Sequence, residues 1–484
     1  MGAGKSTLAT ALAKRRGREP IDTDELLVAR FGHSIEREFE LRGETSFRAA
    51  EEQVVCRVLG EAEAGDVVAL GGGSVQSERV HAALQTHTTA LVEVEAQVAW
   101  KRVGGGHRDC TRPLARDRAA FEALYEQRRG RYEQLADAVL VWARSSSGSY
   151  PVLVGRGLLA PERIEATWPL ARARSRPFCV SDRTVAPLYA ERLGGLAGLV
   201  EIEPGERHKT LADAELVWSA LAAGGMTRAD HLVALGGGVV GDLAGFCAAA
   251  YQRGVPVVQV PSTLVAQVDS AYGGKTGVDL PAAKNYVGAY HQPAAVIVDP
   301  DVLASLPARE FAAGYVEVIK TALIAGGELW RRVAAEQPLD EQTILACART
   351  KLAVVAEDER DAGARQALNL GHTVGHAIET VTGYERYRHG EAVGLGLLVA
   401  LRLSGREDLG ERVRELLVAR DLPVALAGED VGAIVEATRR DKKRTGDHVP
   451  FVLLDAPGEP RCGCRVGEAE LAAAIGELAA ARGG

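Results

Sequence analysis

The sequence predicts an α/β protein: a parallel sheet with flanking helices over residues 1–144, a second α/β sheet over 149–310, and a mainly helical part over 311–484. Three observations predict it. Short β-branched runs alternate with helical segments as far as about Phe311. Glycine is 54 of 484 residues, about 11% against a typical ~7%, which marks many tight turns and close backbone–ligand approaches. Beyond Phe311 the runs stop and long amphipathic helical patterns take over.

In chain order, the first unit offers strand-like runs at 67–70 (VVAL) and 91–94 (LVEV). Residues 145–149 (SSSGS) are small and polar between apolar stretches, so 145–148 reads as a linker with few contacts crossing it. A unit starting near Gly148 is therefore expected to fold and work alone. The second unit opens with runs at 150–154 (YPVLV), 178–182 (FCVSD), 231–235 (HLVAL) and 257–260 (VVQV), and a late strand is expected at 449–454 (VPFVLL). The phrases VALGGGSV (68–75) and VALGGGVV (233–240) look repeated, but their flanks differ. They read as one strand-to-glycine-turn solution used twice.

Composition excludes several classes. A net charge of −8 argues against a nucleic-acid binder working by charge, so small-molecule partners are expected. The apolar runs are too short to span a bilayer, and no signal peptide is visible. Seven scattered cysteines fit a reduced cytoplasmic setting better than a disulfide framework. Cys462 and Cys464 read as two partly buried thiols, since no second pair follows.

The first unit begins Gly2-Ala3-Gly4-Lys5-Ser6-Thr7, most of a phosphate-binding loop. Backbone amides at a helix N-terminus cradle phosphate oxygens, the lysine neutralises their charge, and the serine reaches Mg²⁺. A chance glycine turn would look similar. Residues 21–24 (IDTD) end in two carboxylates, which suit a magnesium and a substrate hydroxyl, or equally a helix N-cap. The arginine-rich stretch 101–131 reads as a cationic lid or as a solvated helix face.

In order, GAGKST, IDTD, SFR, LGGGSV, TRPL and YEQRRGRY resemble shikimate kinase over residues 1 to about 144. The resemblance implies a P-loop kinase-like sheet and shikimate contacts at Asp24, Arg48, Gly72 and Arg128. It places Gly2, Gly4, Lys5, Ser6 and Thr7 on the ATP phosphates and Arg112 over the nucleotide. Ser6, with Asp22 through water, would hold Mg²⁺. The full pattern needs a further glycine and a strand upstream. The natural protein is therefore expected to begin earlier, and the chain beginning at Met1 to have little or no kinase activity.

In the second unit, His372 and His376 stand at i and i+4 on one helix face. His389 follows, and Glu317 lies upstream. A His/His/Glu set with an open position suits catalytic zinc, while Thr373, where a zincin has glutamate, disfavours a protease. Gly236-Gly237-Gly238-Val239-Val240-Gly241-Asp242 follows a strand and suits a pyrophosphate, though a bare glycine turn is an alternative. Arg253, Lys275, Lys284, Lys320, Lys351 and Arg365 together would suit a substrate with phosphate and carboxylate groups.

The phrases PGERHK, GGGVVGDLAGF, YQRG, QVPSTLVAQVDSAYGGKTGVD, KNYVGAYHQP, GYVEVIK, RQALNLGHTVGHAIE and RHGEAVGLG resemble 3-dehydroquinate synthase over about 149–484. The resemblance implies an NAD-binding half, a helical zinc-binding half (with cobalt as a possible substitute), a cleft between them, and a homodimer formed through this unit. Its zinc ligands would be Glu317, His372 and His389. Its NAD contacts would be Asp182, Glu206, Lys209, Gly237, Gly238, Val239, Asp242, Ser262, Thr263 and Lys284. Catalytic groups would be Lys275, Lys320, Asn285, His376, Arg253 and Asp269. Lys351, Arg365 and Asn369 would bind substrate, and Lys442 or Lys443 its phosphate. Pro204, Thr184, Ser262 and Tyr272 depart from the family pattern and are expected to weaken NAD affinity or reshape the pocket.

The implied reaction takes 3-deoxy-D-arabino-heptulosonate 7-phosphate to 3-dehydroquinate and phosphate, with NAD regenerated in each turnover. Three alternatives stand beside it: a synthase with an inactive kinase-like module, another sugar-phosphate cyclase, and a polyol dehydrogenase.

Overall fold

The computed structural model describes residues 2–92, 94, 96–103, 117–146, 148–281, 283–361, 363–439 and 449–480. The first unit runs α1 (Lys5–Arg16), β1 (Pro20–Asp22), α2 (Ile35–Glu61), β2 (Val67–Ala69), β3 (Ala90–Val92), α3 (Arg118–Leu135) and β4 (Ala138–Ser145). β1 and β2 pair parallel in a sheet of their own. The strand at 21–24 is cut short because the Asp22 carboxylate accepts from the Asp24 amide and caps the helix Thr23–Phe31. Between β2 and β3, which do not pair, lies a cavity of about 860 Å³ lined by Leu8, Leu12, Val68, Leu91 and Leu140.

The expected linker is a tight turn. β4 folds back through Ser146 onto β5 (Gly148–Val154), with antiparallel register from Val139↔Val154 to Ser145↔Gly148. Serine and glycine serve an open linker and a hairpin turn equally well, and the apolar strands on either side decide for the hairpin. β4 also pairs parallel with β3. One strand therefore joins the two units into a single eight-stranded sheet of order β3-β4-β5-β12-β9-β8-β6-β7. Its other members are β6 (Pro177–Asp182), β7 (Gly198–Ile202), β8 (His231–Gly236), β9 (Val257–Pro261) and β12 (Ala295–Val298). All of their mutual pairings are parallel.

The hairpin feeds a core on each face of the sheet. Ala143, Tyr150 and Val152 join the large cluster that contains Val268, Val318 and Leu395. Leu140 and Leu153 join Trp168, Val233 and Ile297, against which Leu8 and Leu12 of α1 pack. Arg15 at the end of α1 donates to the carbonyls of Ala294 and Ser149, and Arg16 to those of Trp168 and Ala166. Burial pushes the Arg16 guanidinium down to about 10.

The second unit adds α4 (Gly238–Ala250) and the antiparallel hairpin of β10 (Lys275–Leu280) with β11 (Ala283–Tyr290). Then follow α5 (Ala308–Ala325), α6 (Glu341–Glu357), α7 (His372–Val381) and α8 (His389–Leu403). The late strand is present as β13 (Phe451–Ala456), paired with β14 (Glu459–Cys464). Among the described residues no helix is long and apolar enough to cross a membrane.

Candidate functional site

Three helices bring Glu317, His372 and His389 together. Small residues let them approach: a Cβ on Gly390 would lie 1.9 Å from the Ala313 carbonyl oxygen, and one on Gly396 2.0 Å from that of Gly371. α8 is thereby pressed onto α5 and α7. The ligand atoms of Glu317, His372 and His389 lie within 4.8 Å of one another. Both imidazoles turn Nε2 toward Glu317 Oε1, each at 3.5 Å. That oxygen is buried and, among the described residues, has no hydrogen-bond partner, so the donor set fits a divalent metal with nitrogen and carboxylate ligands. Burial alone would push the Glu317 carboxyl up. Lys320 and the two imidazoles override it and hold it well below the usual carboxylate range. The His376 ring lies 5.3 Å from that of His372.

A buried charge relay adjoins the metal set. Lys320 Nζ is 2.5 Å from Glu317 Oε2 and 3.8 Å from Asp269 Oδ1, and Lys351 Nζ is 2.7 Å from that Asp269 oxygen. Burial pushes the Lys351 ammonium down. For Lys320 burial is outweighed by Asp269 and Glu317, and its pKa rises. Lys275 is exposed and pairs with Asp361 at 2.5 Å, while partial desolvation and neighbouring Arg365 push it down to about 8. Arg365 is fully buried and donates to the carbonyls of Glu359 (2.5 Å) and Gly273 (3.1 Å). Its guanidinium thus supports the Gly273 turn, a role the sequence did not suggest. Arg253 stands apart, exposed in the turn Tyr251–Arg253, and makes no hydrogen bond or ion pair with this set. Asn369 ends the short helix Ala364–Asn369, half-buried. Lys442 and Lys443 lie outside the described residues.

The glycine turn is built as the sequence predicts: β8 ends at Gly236, and α4 starts at Gly238 with Gly237 as its cap. Side chains on Gly237 and Gly238 would meet Thr263 and Ser270, so the bare backbone leaves the α4 N-terminus open to a phosphate. Val239 is half-buried in the first turn of α4. Ser262 Oγ is buried and has no hydrogen-bond partner among the described residues, and Thr263 Oγ1 accepts from the Ala266 amide. Asp182, at the end of β6, accepts from the amides of Thr184 and Val185. Lys209 is the hub of the dinucleotide side. Its Nζ lies 2.9 Å from Glu206, 2.8 Å from Asn285 Oδ1, 3.4 Å from Asp242 and 3.8 Å from Asp279. Burial raises Asp242 to about 6 against the pull of Lys209. Lys284 sits 3.7 Å from Glu206 and 3.3 Å from Glu379. Asn285, expected on the substrate, belongs to this network. Tyr272 is buried, its hydroxyl bonded to the Gln267 carbonyl below the Gly273 turn.

In the first unit, Gly2 and Gly4 have φ of 70° and 83°, and Gly4 caps α1 ahead of Lys5. Ser6 and Thr7 are exposed in the first turn of α1. Arg48 Nη1 pairs with Glu51 at 2.6 Å. A side chain on Gly73 would strike Arg48, and one on Gly71 would strike Asp24 and Glu51. Arg128 and Tyr132 both donate to the Gly72 carbonyl, at 3.3 and 2.5 Å. Asp24, Arg48, Gly72 and Arg128 therefore converge, joined by Glu51 and Tyr132, which the sequence reading missed. Arg112 lies outside the described residues.

A shikimate kinase family model matches residues 1–150. Models of the 3-dehydroquinate synthase N-terminal and C-terminal parts match 199–313 and 314–444. The 3-dehydroquinate synthase of Halorhodospira halophila (strain DSM 244 / SL1) is 46% identical over 337 residues, covering 66% of this chain and 93% of its own. That of Geobacter metallireducens (strain ATCC 53774 / DSM 7210 / GS-15) is 44% identical over 300 residues, covering 58% and 83%. Among solved structures, 2-deoxy-scyllo-inosose synthase complexed with carbaglucose-6-phosphate, NAD⁺ and Co²⁺ aligns with a TM-score of 0.62 at 25% identity, covering 70% of this chain and 99% of its own. The 2-epi-5-epi-valiolone synthase from Streptomyces hygroscopicus subsp. jinggangensis 5008, with NAD⁺ and Zn²⁺ bound, aligns with the same TM-score at 27% identity, covering 69% and 97%.

Proposed function

Because the chain belongs to the 3-dehydroquinate synthase family and carries a shikimate kinase domain ahead of it, we propose that it serves two reactions of one pathway. The synthase unit, over 149–484, converts 3-deoxy-D-arabino-heptulosonate 7-phosphate to 3-dehydroquinate and phosphate. The kinase unit, over 1–144, transfers phosphate from Mg²⁺-bound ATP to shikimate. The observation that carries the synthase reading is the meeting of Glu317, His372 and His389 with the buried Lys320–Asp269–Lys351 relay.

Glu317, His372 and His389 would hold zinc or cobalt, and the α4 N-terminus with Lys209, Glu206, Asp242 and Lys284 would hold NAD. When bound, these groups supply a hydride acceptor that returns its hydride and a Lewis acid that acidifies the alcohol losing it. The chain's own residues orient the substrate. Lys275, at a pKa of about 8, and Lys351 present ammonium groups to phosphate and carboxylate, the first from an exposed position and the second from a buried one. The Lys320 ammonium, held charged by Asp269 and Glu317, faces the oxygen next to the metal set. Asp269 holds both lysines in place and prevents their mutual repulsion. His376, half-buried beside His372, is placed to move a proton. In the kinase unit, Arg48 and Arg128 are natural partners for the shikimate carboxylate, and Asp24 for its hydroxyl.

A second reading, a cyclase for a sugar phosphate without a carboxylate, draws support from Arg365, which spends its guanidinium on backbone carbonyls. Offering purified chain the heptulosonate phosphate and, separately, glucose 6-phosphate decides between them. Turnover of the first alone supports the synthase; turnover of the second alone supports the other cyclase. Shikimate with ATP tests the kinase unit independently. We place the chain in the cytoplasm as a homodimer formed through the synthase unit, checked by fractionation and light scattering.

A further inference from the structure

His389 opens α8 with both ring nitrogens engaged. Nε2 faces Glu317 Oε1 at 3.5 Å, and Nδ1 faces Glu379 Oε2 at 3.4 Å. His372 is arranged alike: Nε2 faces the same Glu317 oxygen, and Nδ1 faces the Leu370 carbonyl at 3.2 Å. Each imidazole thus turns Nδ1 to an oxygen acceptor and Nε2 to one common point. A neutral imidazole donates from one nitrogen and offers a lone pair on the other, so the acceptor beside Nδ1 decides which nitrogen can ligate.

Glu379 lies on α7, two turns after His372, so it shares the face of α7 that meets α8. It is buried at 2% exposure. Its second oxygen pairs with Lys284 Nζ at 3.3 Å, and that ammonium lies 4.3 Å from the centre of the Tyr384 ring. Ligand atoms of His376, Glu379 and His389 also fall within 4.8 Å of one another. The two sets share His389, so its Nε2 and Nδ1 compete for one metal. The carboxylates separate them. Glu317 Oε1 faces Nε2 of both His372 and His389 and, among the described residues, has no hydrogen-bond partner. Each Glu379 oxygen instead has a neighbour of its own, Lys284 Nζ on Oε1 and His389 Nδ1 on Oε2.

We propose that Glu379 is a positioning residue of the metal centre. It accepts a hydrogen bond from His389 Nδ1–H, fixes the tautomer that leaves the Nε2 lone pair free for a metal shared with Glu317 and His372, and through Lys284 ties that orientation to the dinucleotide side of the cleft. This rests on the metal reading given above. It assigns the residue seven positions after the first histidine to the support of the last, and it fixes which imidazole nitrogens ligate.

The test measures Zn²⁺ and Co²⁺ affinity by chelator competition on the full chain, together with the Co²⁺ absorption spectrum. Glu379→Gln keeps the shape and removes the charge, and a supporting carboxylate of this kind changes metal affinity about 10- to 100-fold. Glu379→Gln and Glu379→Ala should bind Co²⁺ that much more weakly, with a shifted spectrum. At saturating metal, kcat should fall while KM for the heptulosonate phosphate holds. Glu379→Asp, should Ala fail to fold, is expected between wild type and Gln. Unchanged affinity and spectrum in Glu379→Gln would overturn the proposal. So would two metal equivalents in the wild type and one in the variant, since Glu379 would then be a ligand. His372→Ala serves as a separate arm: full metal affinity there sinks the metal reading itself, whatever Glu379 does.

Discussion

Removing everything before Gly148 should unfold or badly weaken the synthase unit, although the serine run suggests a clean cut there. That cut removes β4 and strips β5 of its antiparallel partner from Val139↔Val154 to Ser145↔Gly148. The two cores lose Ala138, Leu140 and Ala143, which are 1%, 4% and 2% exposed, and the half-buried Val139 and Val141. At roughly 25 cal/mol per Å² of apolar surface, with a buried leucine near 2 kcal/mol, the lost burial comes to about 5 kcal/mol. A domain is stable by only ~5–15 kcal/mol. The bared β5 would also present Tyr150, Val152 and Val154 on an open sheet edge. A fragment starting at Asp137 keeps β4 and loses only the contacts of β3 and α1. The assay compares the two fragments by urea unfolding and by phosphate release from the heptulosonate phosphate. The Asp137 fragment should match the full chain closely in turnover, and the Gly148 fragment should be insoluble or unfold at far lower urea. Equal midpoints and equal turnover would refute the shared-strand reasoning.

Other expectations follow from single sites. Gly390→Ala must push its Cβ against the Ala313 carbonyl; overpacking of this kind costs about 1–3 kcal/mol, and a lower urea midpoint with weaker zinc binding should be seen in equilibrium titrations. His231 is fully buried, bonded to Ser175, and pushed down to about 4 by burial and Arg172 from an ordinary 6.5. The unfolded chain then binds the proton more tightly, so this contribution is complete above pH about 6.5 and is lost as pH falls toward 4. His231→Gln should flatten that part of the urea-midpoint-versus-pH curve, and an unchanged slope would contradict it. Lys351→Met removes an ammonium from Asp269 and should raise KM for the heptulosonate phosphate by about 10-fold or more; an unaltered KM would place the carboxylate elsewhere.

Much of the architecture was legible because apolar periodicity survives wherever a strand is buried on both faces. The runs at 150–154, 178–182, 231–235 and 257–260 became β5, β6, β8 and β9. The metal set was legible for another reason: histidines are few, and their helical spacing is informative. β4 was hidden because its apolar start runs straight into arginine and serine, so a strand entering a tight turn looked like a linker. The partners of the active-site cations were hidden as well. Asp279, Asp361 and Glu379 are acidic residues that read as solvated surface until another element brings a lysine within 4 Å, and Glu51 pairs with Arg48 one turn away on its own helix. Arg365 is the converse case. Its charge suggested a ligand, but the carbonyl it holds belongs to Gly273, whose φ of 81° no local sequence pattern discloses.

The central claim is a metal-dependent cyclisation in which NAD is regenerated at the site of Glu317, His372 and His389. The most direct measurement supplies purified chain with NAD⁺, Zn²⁺ and the heptulosonate phosphate, and follows inorganic phosphate and NADH absorbance in the same sample. Stoichiometric phosphate with no net NADH is expected, as are loss of phosphate release after exhaustive chelation, its return with Zn²⁺ or Co²⁺, and no return in His372→Ala. NADH rising in step with substrate consumed, or full phosphate release from the chelated protein, would contradict it.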